Sequence, residues 1–344
     1  MNCLRQFPFR SCALRRTSSK RLRRLRVVRA KGLVALSCAV LVSVFCQTDA
    51  RRACGEPAVL YPIQDNTLYT YIPGDADNPF HSNGSGNFFA AGRTARKDQI
   101  QRGLILFDFA QIPTDQWVVP GTVRLDLYVV DFPKRDSNRR PFWFVPLAGL
   151  DQQWGEGPSE ANIEGASGSG AGSGAPAEAG DATWYHTVYD PAIHDEAAGQ
   201  PRPFPDEPSP GFWPLNGYLG DQPLDPQALY GDPDGWVDSA SGFWASFTSP
   251  RMESAINDWL RNPASNFGWI VLGDETVEGG DSSSKRGFAS RENYDVDLGL
   301  DFRPRLSFQY APVPEPGSAV LLAIGGVLLL GWRRCRSRTG LWKA

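Results

Sequence analysis

No cysteine lies between Cys54 and Cys335 in this chain of 344 residues. The long middle therefore has no disulfide framework, no thiol nucleophile and no cysteine-ligated zinc. Histidine is almost as scarce. Only His81, His186 and His194 occur, and the last two stand eight residues apart, without the i, i+4 spacing of a helical zinc site. Gly84-Ser85-Gly86 is not a nucleophile elbow, and no glycine-rich stretch opens a phosphate-binding helix. Positive charge is also short: residues 57–310 hold 17 Lys or Arg against 35 Asp or Glu, a net −18 hidden inside the whole-chain value of −3. Such a segment is a poor partner for nucleic acid or polyanionic polysaccharide and an easier one for neutral glycans or divalent cations. Acidity serves solubility as well. Without staples, stability must come from a packed core, and about 250 residues suffice for one large domain.

What the middle lacks is concentrated at the ends. Residues 1–31 carry eleven Lys or Arg and no acid, and residues 32–45 form an apolar run too short for a stable membrane helix. This pattern predicts a signal peptide over residues 1–53 with a long basic n-region, cleaved after about Ala50 or Ala53. At the other end, Pro314-Glu315-Pro316 precedes sixteen uncharged residues, 317–332, and then Arg333, Arg334, Arg336 and Arg338. That span reaches ~24 Å as a helix against a hydrocarbon core of ~30 Å, which suits a transient anchor. The positive-inside rule keeps the arginines cytoplasmic and puts the chain before Val313 on the far side. Residues 312–338 resemble the PEP-CTERM sorting signal of bacteria that secrete an exopolysaccharide matrix. The resemblance implies export machinery and a sorting protease, an exosortase, as membrane partners, and a final place at the cell surface or in the extracellular matrix. An ordinary tail anchor would not explain why Pro-Glu-Pro abuts the span.

Between the two signals the apolar pattern is that of strands. Residues 103–109 form a continuous β-rich run, and Val123, Leu125, Leu127 and Val129 alternate with polar neighbours to define one face. Residues 142–147, 268–273, 286–290 and 305–310 are further strands bounded by Gly, Pro, Asn or Asp. One helix is expected over residues 250–262, with Ser249 as its cap, Met252, Ile256, Trp259 and Leu260 on its apolar stripe, and Asn262-Pro263 as its stop. The Gly/Ala/Ser-rich residues 161–180 read as a flexible loop, and residues 191–238, dense in Pro, Asp, Gly and isolated aromatics, as a long surface excursion. The fold class is all-β: a jelly-roll-like antiparallel β-sandwich over residues 57–310, with one short helix and long irregular loops.

The order of the motifs adds a resemblance. Asp65-Asn66-Thr67-Leu68-Tyr69, Ser82-Asn83-Gly84-Ser85-Gly86, Gln101-Arg102 leading into the apolar run, Trp154-Gly155-Glu156-Gly157, Gly180-Asp181-Ala182-Thr183-Trp184, Gly273-Asp274-Glu275 and Ser290-Arg291-Glu292-Asn293 follow one another. In this order the set resembles the DNRLRE domain, in the version often joined to a PEP-CTERM tail. It implies a jelly-roll-like sandwich of extracellular bacterial proteins, some of them similar to carbohydrate-binding modules. Residues 191–238 depart from the shorter members.

Two kinds of site are expected. Aromatic rings on loops can carry the apolar C–H face of a pyranose while nearby amides and carboxylates bond its hydroxyls; Trp213, Tyr218, Tyr230, Trp236 and Trp244 fall in or beside the excursion. Trp143, Trp259 and Trp269, within regular elements, are expected in the core. Calcium is the expected cation, with Asp75 and Asp77 as one oxygen set and Asp232, Asp234 and Asp238 as another, although Asp also simply makes turns. These features point to a secreted, noncatalytic surface or matrix protein, structural or glycan-binding, with matrix polysaccharide as partner. The alternative is an extracellular polysaccharide-active enzyme, hydrolase or lyase, because a carboxylate pair is a tertiary property.

Overall fold

Strands form where β-branched and aromatic residues run between Gly, Pro and Asp, and sixteen occur in the computed structural model, which describes residues 55–70, 80–94, 99–131, 138–161, 174–194, 213, 223–277, 283–295 and 297–312. In chain order they are β1 (Glu56–Leu60), β2 (Pro62–Tyr69), β3 (His81–Ser82), β4 (Phe88–Arg93), β5 (Ile100–Phe107), β6 (Gln116–Val118), β7 (Arg124–Asp131) and β8 (Arg140–Pro146). There follow β9 (Ala175–Pro176), β10 (Gly235–Val237), β11 (Phe243–Phe247), β12 (Trp269–Gly273), β13 (Arg286–Ala289), β14 (Tyr294–Asp295), β15 (Leu300–Asp301) and β16 (Arg305–Pro312). Among the described residues only Pro250–Arg261 makes a helix longer than a turn or so. The signal region and the sorting tail, with Pro314, Glu315, Pro316, Arg333 and Arg334, lie outside the described residues. No described helix is long and apolar enough to cross a membrane.

Every strand pairing is antiparallel, and the chain is the all-β sandwich-like fold expected. In the first layer β7 pairs with β11 along one edge and with β16 and then β13 along the other, while β1 and β6 extend β16. In the second, β5 lies between β2 and β12, followed by β8 and β10. Strand β4 joins the layers, because Phe88 to Ala91 pair with β13 whereas Gly92 and Arg93 pair with β5. Gly92 turns this corner at φ +114°, and a Cβ there would lie 2.7 Å from the Ser284 carbonyl, so no other residue fits without displacement.

The interior between the layers is built by alternation. Leu125, Leu127 and Val129 of β7 face Phe142, Phe144, Trp269 and Val271, while Arg124, Asp126 and Tyr128 turn outward. The helix closes this core with Met252, Ile256, Trp259 and Leu260; Ser249 Oγ accepts from Met252 N at 3.2 Å as its cap. Asn257 Oδ1 accepts from Val118 N at 2.9 Å, tying the helix to β6.

The continuous apolar runs of β5, β8 and β12 have a different cause: a second core covers their other face. Leu104, Leu106, Trp143, Val145, Ile270 and Leu272 pack under Trp154, Trp184, Tyr185, Tyr189 and Trp213. The connecting segments are thus a partial third layer. Within the stretches read as a flexible loop (161–180) and a surface excursion (191–238), the described Ala177 and Trp213 join this core, a correction for those residues, whereas Trp236 stays exposed as expected. Trp154, Trp184, Tyr185, Tyr189 and Trp213 are irregularly spaced and show no periodicity, yet all five are buried, and the backbone near them is satisfied by pairs such as Gly155 N to Thr187 O at 2.7 Å and Tyr189 N to Asp181 O at 2.7 Å.

Candidate functional site

The second layer is covered on both sides, and among the described residues the outer face of the first layer is partly open, its outward residues Tyr128, Trp244 and Arg305 meeting aromatic and charged residues of the β14–β15 region in one strip. Tyr128 of β7 and Trp244 of β11 are directly opposed in register, with ring centroids 5.3 Å apart in an edge-on arrangement. Arg305 of β16 lays its guanidinium 4.0 Å from the Trp244 ring centroid. Tyr128 also stacks on Phe302 at 4.3 Å. One residue further, Arg303 lies 4.2 Å from the Tyr61 ring and 4.3 Å from the Tyr294 ring. Strand alternation supplies this face: Arg305 is paired with Asp126, and Leu306 beside it points inward with Leu125.

Charge fixes the strip in place. Asp301 Oδ1 and Oδ2 accept from Arg303 Nε and Nη2 at 2.9 and 3.2 Å, which holds the Asp301 carboxyl below its ordinary value. Asp126 accepts from Arg124 Nε at 2.7 Å and from Ser246 Oγ at 2.6 Å. Tyr61 and Tyr294 are 37% and 46% exposed, and Trp244, Tyr128 and Phe302 are half-buried, so rings held by neighbours still present area outward. Such a surface offers stacking platforms beside fixed donors and acceptors, the combination a sugar ring needs.

Of the aromatic residues expected to bind sugar, Trp244 lies on this strip. Trp236 is exposed on β10, an edge of the second layer, and Tyr230 is half-buried with its ring 5.8 Å from the Arg251 guanidinium. Tyr218 lies outside the described residues. Trp213 is a correction: only 2% exposed, it packs in the second core and donates Nε1 to Thr183 O at 2.9 Å, so it anchors the covering segment and presents no platform. Trp143, Trp259 and Trp269 are in the core as expected.

The expected calcium sets fare differently. Asp75 and Asp77 lie outside the described residues. Asp232, Asp234 and Asp238 do not converge. Asp234 is buried and accepts from Phe144 N at 2.6 Å through Oδ2, whereas the exposed Asp238 carboxylate faces Arg139 at 3.4 Å and Asp232 is exposed. Asp234 is thus a strut between the turn before β10 and strand β8, and burial raises its pKa.

A different acidic group does gather. Asp65 of β2, Glu156 from the segment after β8 and Glu292 from the turn after β13 bring carboxylate oxygens within 4.8 Å of one another. Arg291 donates Nε and Nη2 to the two Glu156 oxygens at 2.6 Å each, and its backbone N to Asp65 Oδ2 at 2.7 Å. Asp65 N donates to Glu156 Oε1 at 2.9 Å. Full burial, then the charge of Glu292, push the Asp65 carboxyl well above its ordinary range. The neighbouring Asn66 side chain is saturated by Glu156 O, Ser82 Oγ, Asn83 N and Thr67 N. All these residues belong to the motifs quoted above, which could have singled them out, but single-chain reading gave no reason to bring them together. Compared with known proteins, the chain matches no family model and no curated protein.

Proposed function

We propose that this protein is an exported, noncatalytic surface or matrix component that binds polysaccharide through the first-layer strip centred on Trp244, Tyr128 and Arg305. The observation that carries the reading is that strip itself: aromatic rings held by arginines on a partly open sheet face. Supporting it, Asp65 of the three converging carboxylates is fully buried and Glu156 is engaged by Arg291, an arrangement suited to holding structure rather than attacking a glycosidic bond. The PEP-CTERM-like tail supports passage through the inner membrane, transient anchoring there and release by an exosortase-type protease.

Trp244→Ala is expected to weaken retention on matrix polysaccharide about tenfold, the scale of one lost stacking contact, with circular dichroism unchanged. Trp213→Ala is expected instead to lower the melting temperature. Affinity electrophoresis beside thermal melts checks both; parent-like retention by a folded Trp244→Ala protein, or polymer cleavage by the parent, overturns the assignment. For the tail, intact mass of the cell-surface form should show residues 317–332 gone, and a surface product still carrying Arg333 and Arg334 would refute the sorting reading.

A further inference from the structure

The acidic corner beneath the strands has a charge that the fold leaves unbalanced. Three carboxylates, Asp65, Glu156 and Glu292, face one guanidinium, Arg291, a formal excess of two negative charges. Asp65 is 0% exposed, and its Oδ1 is buried without a hydrogen-bond partner; Glu292 Oε2 is likewise buried and unpartnered. Burying such an oxygen unpaired is costly, because nothing replaces the water it gave up. The other four oxygens have donors: Arg291 N for Asp65 Oδ2, Asp65 N and Arg291 Nε for Glu156 Oε1, Arg291 Nη2 for Glu156 Oε2, and Arg291 Nε for Glu292 Oε1.

We propose that this corner is a divalent-cation site that takes calcium, with Asp65, Glu156 and Glu292 as its ligands. An ion of charge two matches the excess left after Arg291. All the donors are hard carboxylate oxygens, with no imidazole or thiolate, which selects Ca²⁺ or Mg²⁺ over zinc or copper. The set favours calcium because it is irregular: carboxylates from three separate segments, one of them shared with a guanidinium, suit the flexible shell of about six to eight oxygens that calcium takes, whereas magnesium requires a strict octahedron. Glu156 accepts from a guanidinium whose side chain is 39% exposed, so Arg291 has room to withdraw as the ion enters. The ligands come from β2, the covering segment and the turn after β13, so the ion clamps the third layer onto the sandwich. The excess of acid over the domain as a whole adds a general attraction for cations.

The test uses the purified full chain, stripped with EDTA and dialysed, with calcium and magnesium chlorides as probes. Melting temperature should climb with calcium, by about 5 to 10 °C at a hundredfold excess over Kd, and much less with magnesium. Titration calorimetry should show saturable calcium binding that Glu292→Gln weakens at least about tenfold. Asp65→Asn, which keeps one side-chain oxygen and removes the buried charge, provides a second readout if Glu292→Gln does not fold. No saturable heat and no shift up to about 10 mM calcium would overturn the proposal. Equal small shifts from both ions, or parent-like calcium affinity in both variants, would overturn it too, the first as charge screening and the second as binding elsewhere.

Discussion

Trp269→Ala is expected to cost ~3–5 kcal/mol of stability, lowering the melting temperature by roughly 10 °C or more in a domain of this size. Trp269 is 0% exposed, 4.7 Å from Trp259 and 6.0 Å from Phe107 by ring centroids, at the meeting of the two layers and the helix. Surrounding strands are fixed by their ladders, so the space left by an indole closes only partly. Trp269→Phe separates packing from polarity. The indole Nε1 is buried without a hydrogen-bond partner, so the phenyl variant loses volume but also sheds an unsatisfied donor, and its cost should be less than half that of alanine. Urea unfolding of the two variants decides this; equal losses would mean that the ring's volume contributes little.

Glu275→Ala is expected to be comparably severe, ~3–5 kcal/mol, for an electrostatic reason. Arg102 and Glu275 form a bidentate pair with both side chains 0% exposed, Nε to Oε1 at 2.7 Å and Nη2 to Oε2 at 2.8 Å. Trp184 lies 4.3 Å from the guanidinium, and Glu275 Oε2 also accepts from Leu224 N at 2.9 Å. Removing the carboxylate strands a buried cation and an amide, whereas removing both charges leaves only the pairing to be replaced. The double variant Arg102→Met, Glu275→Leu should therefore recover most of the loss. Chemical denaturation of the single and double variants measures the coupling directly, and strictly additive losses would contradict a buried, mutually compensating pair.

Local pattern was enough for the helix and for β5, β7, β8, β12, β13 and β16, but not for β1, β2, β4, β10 or β11. The alternation at Leu125, Leu127 and Val129 identified β7 and its inward face, and Ser249 with Asn262-Pro263 bounded the helix at the residues observed. Trp143, Trp259 and Trp269 were legible as core because they sit in regular elements whose buried face the period reveals. The aromatic candidates were only partly legible. Trp244 and Trp213 both look like tryptophans near an irregular stretch; one lies on a partly open strand face beside Arg305 and the other is sealed under Thr183.

The acidic corner was illegible although every member stood within a quoted motif. Glu156 lies 91 residues from Asp65 and 135 from Arg291, and nothing in one chain's spacing says that such residues meet. The same holds for Asp232, Asp234 and Asp238, whose close spacing suggested a cluster that strand β10 pulls apart, burying one carboxylate and leaving two in water. By itself the sequence determined the longer core strands, the helix and its caps, the missing thiol chemistry and the charge of the domain, because these follow from local sterics, side-chain period and composition. Tertiary structure alone decided which sheet face stays partly open, which tryptophans meet solvent and which carboxylates share one buried corner, because those depend on how the layers stack and on contacts between residues far apart in the chain.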